Sequence, residues 1–484
     1  MSHAKRLAIL VGLLAIGIRF IALNQPFDDR WSWRQSDVAA IARNFATGGF
    51  HFAKPQIDWA GDQPGYVGTE FPILPFAAAV SYQVLGVHEW IGRLQSVLFF
   101  AISLPFFYLL VRKSFGAAAG VWALIFYSFA PVMLMASRCF MPDVPSLSLG
   151  IVALYLFERW TVSREQRAFW LSAIAMSFAL LIKLPTAVMA VPMAVIVFRH
   201  SGWRALRGPR LYAWAAIALL PCFAWYWHAH QISETFYPYH FFGGGGLRLM
   251  PVEWYAKIAF KLATSTLTPV LAATGLVGLW MARRNKDAVL FVSWLMAMAV
   301  FVVLVGWGNR HEWYQLPFVP IAAAFGGAAC ARIMPVSRPA RVFMVSFVIL
   351  FFGWFSFVYT HHLFESSAAP LREVGLELKG TTNESALIVA ADDGDPTAFY
   401  YAERKGWHFP ERRGLFYGNP ADDEQLIADL DELRQRGATH IVFYGGTTWW
   451  LNYYLRFAQH LNRSASKLDA PPGCQIYQLN PVGK

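Results

Sequence analysis

The sequence predicts an all-α polytopic membrane domain of about eleven transmembrane helices over residues 1–364, followed by a small α/β domain outside the membrane over residues 365–484. Three observations carry that reading. Of the 484 residues, 56% are hydrophobic and only 15% charged, where an ordinary soluble domain carries roughly 25% charged. Apolar runs recur that approach the roughly 20 residues needed to cross a hydrocarbon core. From Glu365 onward the composition returns to that of a soluble domain. A disordered chain and a soluble nucleic-acid binder are excluded, and the formal charge of +11 needs another explanation.

Spans are expected near residues 7–23, 90–111, 117–136, 144–160, 168–184, 185–198, 211–229, 267–282, 288–306, 314–331 and 342–360. The first follows a basic start, Lys5 and Arg6, without a small-residue cleavage site, so it reads as a retained span. The apolar stretch 71–86 is short and interrupted by proline, which suits an interfacial helix. An odd number of spans starting inside puts the tail outside. The charges agree, because the segments assigned to the cytoplasm collect arginines and lysines and hold only three acids, Glu158, Glu165 and Asp287. The basic balance is therefore a topological signal of the positive-inside kind, and the expected address is a cell membrane, a bacterial inner membrane, with a cytoplasmic N-terminus.

Two outer loops are long. Residues 24–89 are rich in Trp, Asp, Gly and Pro, with a helix expected over 38–45. Residues 231–265 contain a tetraglycine at 243–246, suited to a loop that reorders around a ligand. In the tail, 386–391 and 439–444 read as buried strands and 422–436 as an amphipathic helix stopped at Gly437. Asp392, Asp393 and Asp395 suit a strand-to-helix turn better than a cation site. The four cysteines, Cys139, Cys222, Cys330 and Cys474, are too scattered for a disulfide framework or a zinc site.

Charges kept at the outer ends of spans are costly and so are functional candidates. They gather in a few places: Asp28, Asp29, Arg34, Asp37 and Glu70 in the first loop, Arg138 and Asp143 at the next outer turn, then Lys183, Arg310 and His311. Carboxylates near cations suit a reaction in which a base takes a hydroxyl proton while cations receive an anionic leaving group. The bland alternatives are loop caps, an Arg138–Asp143 pair, a snorkelling Lys183, and interfacial anchoring of His311 with Trp313 and Tyr314.

The long first outer loop, the Arg-x4-Asp of SRCFMPDVP (Arg138, Asp143) and the late RHEWYQLPFVP segment together resemble the C-type superfamily of glycosyltransferases. The likeness is in particular to the protein O-mannosyltransferase-like branch that includes the aminoarabinose transferases of lipid A. The resemblance covers residues 1 to about 360. It implies a polyprenyl-phosphate-linked sugar as donor, inversion at the anomeric carbon and a catalytic carboxylate in the first outer loop. Where that branch has an Asp-Glu pair before the loop helix, this chain has Arg34 and Gln35 ahead of AAIAR. DRWSWRQ fits a sub-pattern through Asp29, Arg34 and Gln35, which favours Asp29 as the base over Asp28 or Asp37. TEFPILP keeps Glu70 and Pro72 but has Phe71 in place of a phosphate-contacting lysine, leaving more of the phosphate to Arg310, His311 or Lys183. Arg34, Glu70, Arg138, Asp143 and Tyr314 are expected around the substrate. No cofactor and no metal ligand set is expected, and the partners are the donor, a lipid, glycan or protein acceptor and the bilayer, with no nucleic acid. A lipid or sugar transporter or flippase is the rival class, although internal duplication of the transporter kind is not evident.

Overall fold

A helix lies at each of the apolar runs in the computed structural model, which describes residues 2–239, 246–335, 337–412 and 415–481. All but Gly246 of the tetraglycine therefore lies outside the described residues. Contacts divide the chain into two compact units, one of Met1–Leu23, Arg93–Trp225 and Gly243–Leu363, the other of Asn24–Gly92, Tyr226–Phe242 and Phe364–Lys484.

Four described helical segments are long and apolar enough to cross a membrane: Glu89–Phe115, Leu184–Arg207, Lys286–Arg310 and Arg338–Thr381. A fifth is added if Val252–Thr266 and Pro269–Ala282, bent by 108°, form one broken span. The other runs appear as shorter helices or as helices carrying more polar or aromatic residues. Ala117–Phe129 ends at Ala130 because Pro131 starts a new helix, Pro131–Ala136, proline being accepted at a first turn and not in an interior. Gln166–Ile182 ends at Lys183, which is extended, and the 3-10 turn Leu184–Met189 follows with Pro185 in its first turn. That break takes Lys183 out of a helical ladder and leaves it at a bend. Arg19, fully buried, is consumed by structure. Its guanidinium donates to Ser137 Oγ at 2.5 Å, Ala15 O at 2.5 Å and Ser128 O at 2.7 Å and lies 3.6 Å from the Phe100 ring centroid.

The second unit is built on a five-stranded sheet. Its strands are β1 (Leu387–Ala391), β2 (Lys405–His408), β5 (His440–Phe443), β6 (Ala465–Leu468) and β7 (Gln475–Leu479), in the order β2-β1-β5-β7-β6; the short β3 (Glu411–Arg412) and β4 (Leu415–Phe416) pair separately. β1 runs parallel to β2 and β5, whereas β7 is antiparallel to β5 and β6. The expected strands and helix of the tail are all present, the helix as Asp423–Gln435 with Asp422 accepting the Gln425 N–H at 2.9 Å.

Alternation along β1 sends its side chains to two cores. Val389 and Ala391 pack with Trp407, Leu426, Phe443 and Phe457. Ile388 and Ala390 pack with Leu371, Val374 and Phe399 and, from the long loop after the first helix, Ile41, Phe45, Ile57 and Trp59. The loop thus contributes part of the core against one face of the tail's sheet. It also covers the free edge of β2: the Gly406 N–H donates to Asp58 O at 3.0 Å and the Gly61 N–H to Gly406 O at 2.7 Å, which removes an exposed strand edge. Gly61 has φ +59°, and a Cβ there would fall 1.8 Å from the buried Trp407 ring. Gly61→Ala is expected to destabilise this unit by about 2–4 kcal/mol, combining overpacking with a left-handed alanine, read as an earlier thermal transition of the purified chain.

Tyr226–Phe242 joins the same unit through Tyr237, whose hydroxyl donates to Glu411 Oε1. Burial pushes the Glu411 carboxyl up to about 8 against the opposing pull of Arg436. A raised acid pKa in the folded state means stability that is fully present below pH 4.5 and lost as pH rises through about 8. Glu411→Gln is therefore expected to flatten the fall in melting temperature between pH 5 and pH 8.5, raising the value at the upper end by about 5 °C.

Candidate active site

Two clusters of candidate residues form, one in each unit. In the second unit the loop helix runs Ser32–Gly48, six residues earlier than its apolar pattern suggests, because its first turns bury polar side chains. The turn before it is fixed by Asp29: its carbonyl accepts the Ser32 N–H at 2.9 Å, and its Oδ1 accepts the Trp31 N–H at 3.0 Å and the Gln35 Nε2–H at 2.8 Å. Asp28, fully buried, meets the Arg372 guanidinium at 2.8 Å, and its carbonyl accepts the Ala368 N–H at 2.9 Å. The sequence motif DRWSWRQ is thus, in part, a device for starting a helix and anchoring it to the tail.

One turn further on, Arg34 binds two carboxylates, Asp37 Oδ2 at 3.2 Å and Glu70 Oε1 at 2.7 Å. Asp37 Oδ1 accepts the Trp59 indole N–H at 3.1 Å, and Glu70 Oε2 accepts the Thr69 hydroxyl at 2.8 Å. Asp37 is buried, whereas the Glu70 side chain keeps 16% of its surface open. Burial drives the Asp37 carboxyl above the ordinary aspartate value; Arg34 and the Trp59 N–H pull it back, and Glu70 pushes it up again. Burial raises the proton affinity of this carboxylate, as a proton acceptor requires, while the guanidinium beside it acts in the opposite sense.

In the first unit, Asp143 opens the helix Asp143–Ser163 and its Oδ1 pairs with the Lys183 ammonium, both side chains being buried. Lys183 Nζ also sits 4.6 Å from the Tyr314 ring centroid. Asp143, Lys183, Thr186, Trp313, Tyr314 and Leu316 are among the residues that line one pocket. His311 stacks on Trp313 with centroids 4.5 Å apart and planes within 3°. Arg310 is exposed, its guanidinium 5.4 Å from the Trp307 ring centroid. Arg138, buried, donates to Ala22 O at 2.8 Å. The structure therefore brings Asp143, Lys183 and Tyr314 together, with His311 next to them through Trp313, and it brings Arg34, Asp37 and Glu70 together in the other unit.

Sequence reasoning missed Arg43, Asp58 and His408. Arg43 NH2 holds Asp58 Oδ2 at 2.5 Å while NH1 reaches Tyr400 O, which ties the loop helix to both the 58–61 segment and the tail. The AAIAR run contained that arginine, and a basic residue on an otherwise apolar helix face was the available signal. The acidic turn serves as caps: Asp392 Oδ1 accepts the Gly394 N–H at 3.0 Å, and Asp395 Oδ1 accepts the Thr397 N–H at 3.0 Å.

A family model described as dolichyl-phosphate-mannose-protein mannosyltransferase matches residues 62–227. Among solved structures, ArnT from Cupriavidus metallidurans bound to undecaprenyl phosphate aligns with TM-score 0.69 at 16% identity, covering 99% of this chain and 98% of that one. The apo form of the same protein gives 0.71 at the same identity and coverage. Archaeal oligosaccharyltransferase AglB from Archaeoglobus fulgidus, in complex with an inhibitory peptide and a dolichol-phosphate, gives 0.62 at 11% identity, covering 99% of this chain and 75% of that one. A search of the curated proteins finds no match. The resemblance drawn from the sequence motifs is borne out, and the chain shares the fold of ArnT and of the archaeal oligosaccharyltransferase.

Proposed function

We propose that this chain is an integral membrane glycosyltransferase that moves a sugar from a polyprenyl-phosphate donor to a hydroxyl of a lipid, glycan or protein acceptor at the outer face of a bacterial inner membrane. The family match and the shared fold support the class, and relatives of that fold have been seen with undecaprenyl phosphate and with a dolichol-phosphate. The observation that carries the chemistry is the buried Asp37–Arg34–Glu70 cluster in the first outer loop. The charge pattern supports a cytoplasmic N-terminus and an extracytoplasmic tail, with about eleven spans.

In the proposed reaction the acceptor hydroxyl gives its proton to Asp37. Its oxygen attacks the anomeric carbon as the bond from that carbon to the phosphate oxygen breaks, and the electron pair leaves on the polyprenyl phosphate with inversion. Asp37 is preferred to Asp29 as base because burial raises its proton affinity, while Asp29 Oδ1 is engaged in holding the helix start. Glu70, the more open carboxylate, orients the acceptor, and Arg34 keeps the two carboxylates apart in charge. Within the first unit, Lys183, His311, Tyr314 and the exposed Arg310 are the groups proposed to bind a lipid phosphate. Asp143 holds Lys183 until an anion competes for it, and Arg138 fixes the turn that carries Asp143.

The test is transfer by the purified chain in lipid nanodiscs from a panel of polyprenyl-phosphate sugars to a lipid and glycan extract, with products identified by mass spectrometry and the anomeric configuration by NMR. Sugar-modified product of inverted configuration is expected. No transfer from any such donor, together with movement of intact donor across a sealed bilayer, would return the chain to the flippase class.

A further inference from the structure

Two buried ionisable groups that the proposed reaction leaves unused face one another in the second unit. Asp392 directly follows β1 and is fully buried; His408 closes β2 and is 4% exposed. Because β1 and β2 are parallel neighbours with Ala390 registered on His408, their carboxyl ends lie side by side. The imidazole Nδ1 is 2.8 Å and 2.9 Å from the two Asp392 oxygens. Burying such a pair costs desolvation that close hydrogen bonding must offset, so its presence calls for a reason.

The other face of His408 supplies one. Its ring lies 5.2 Å from the Trp59 indole, centroid to centroid, with Phe399 edge-on at 5.4 Å. Trp59 reaches this position because its segment is bonded to the edge of β2 on both sides, through Asp58 O and the Gly61 N–H, and because Arg43 holds the Asp58 carboxylate. From there the indole N–H points to Asp37 Oδ1 at 3.1 Å. The loop helix bearing Asp37 is tied to the same end of the sheet by Ser32 Oγ–H donating to Asp395 Oδ2 at 2.6 Å and by the Ser36–Thr397 hydroxyl pair at 3.0 Å.

We propose that the Asp392–His408 pair is a positioning element for the first-loop carboxylate: it fixes the imidazole as a rigid plate against which the Trp59 indole is held with its N–H on Asp37. An indole has a single donor, and a rotation of its ring would swing that donor away from the carboxylate. A neighbouring ring packed against it at a tilt of 42° and anchored at Nδ1 by a buried carboxylate removes that freedom. Open α/β sheets present their working residues at the carboxyl ends of the strands; here that end serves a helix from the first loop, which gives the tail a part in transfer. The link to catalysis rests on the reading of Asp37 as the base.

The experiment is an infrared pH titration of the full chain in nanodiscs, following the buried carboxylic C=O band that disappears in Asp37→Asn. The charged groups facing Asp37 are Arg34 on its own helix, Glu70 on the loop and His408 on β2. Trp59→Phe keeps a ring against His408 and removes one donor to the carboxylate, which disfavours the charged form. His408→Phe keeps a ring against Trp59 and removes both the bond to Asp392 and the imidazole. The band's midpoint is expected to move to higher pH in both, with kcat/KM on the acid side falling about tenfold and the acid limb of the rate profile moving with the band. A midpoint unmoved in either folded variant overturns the proposal, and if His408→Phe does not fold, Asp392→Asn, which loosens the imidazole's anchor, is read in its place. A merely structural loss scales the rate profile without moving its limb. If the band moves and the transfer profile does not follow it, the clamp stands and the assignment of Asp37 as base fails.

Discussion

Asp37→Asn is expected to lower kcat/KM for sugar transfer by about 10²–10⁴-fold, the range typical of losing a general base, while leaving the chain as stable as before or more so. Asparagine preserves the volume and an oxygen for the Trp59 N–H, and Arg34 keeps Glu70. The stability half of the expectation follows from sign. Burial raises the Asp37 pKa, so its contribution to stability is present below the ordinary aspartate value and lost as pH rises through the folded one. At neutral pH the charged group costs the fold something, and a neutral amide removes that cost. Activity runs the other way, rising with pH as the carboxylate ionises. Asp29→Asn should instead cost about tenfold and lower the unfolding temperature, since it disturbs the entry to the helix. Transfer rates and melting curves of the two variants, measured side by side, decide between the carboxylates; full activity in Asp37→Asn would sink the assignment.

Lys183→Met has the second large effect. Removing the cation leaves the Asp143 carboxylate buried without the ammonium it pairs with, and breaking a buried pair from one side costs about 3–5 kcal/mol. The variant is expected to unfold early and to bind donor weakly. Replacing both partners, Asp143→Asn with Lys183→Met, removes the stranded charge and should recover most of the stability. It should not recover donor affinity, because a charge-assisted contact to the phosphate, about 1.5–3 kcal/mol, is gone, which is about 10–100-fold in affinity. Thermal unfolding and titration with polyprenyl phosphate separate the two effects. A double variant that binds the lipid phosphate at the original affinity would remove Lys183 from the phosphate site.

The legible parts of the chain were those in which local pattern and final environment agree. The strands of the tail follow from short apolar runs ending at turn residues, and its helix from a spaced apolar face stopped at Gly437. The loop helix was read short because its first turns bury Arg34, Gln35 and Asp37, and a helix whose inner face is polar carries no hydrophobic period. The span-end charges were legible as costly, yet their partners were not: Asp143 and Lys183 lie 40 residues apart, and Glu70 meets Arg34 across 36. Asp29 stood first among the bases because its motif was local, while the environment that tunes Asp37 is assembled from Trp59, Glu70 and His408. The acidic turn after β1 was read correctly as a capping element, and the histidine that Asp392 also holds belongs to a neighbouring strand.

The core shared by Ile41, Phe45, Ile57 and Trp59 with Leu371, Val374 and Ile388 also sets an order of assembly. The loop residues are made before the residues that cover their apolar face, which follow more than 300 positions later along the chain. Throughout synthesis and insertion the segment carrying the proposed base has no completed core, and long-range closure of this kind is slow and exposed to misassembly. A chain interrupted before its tail would hold every carboxylate proposed for the chemistry and still lack the surface that gives them a fixed geometry.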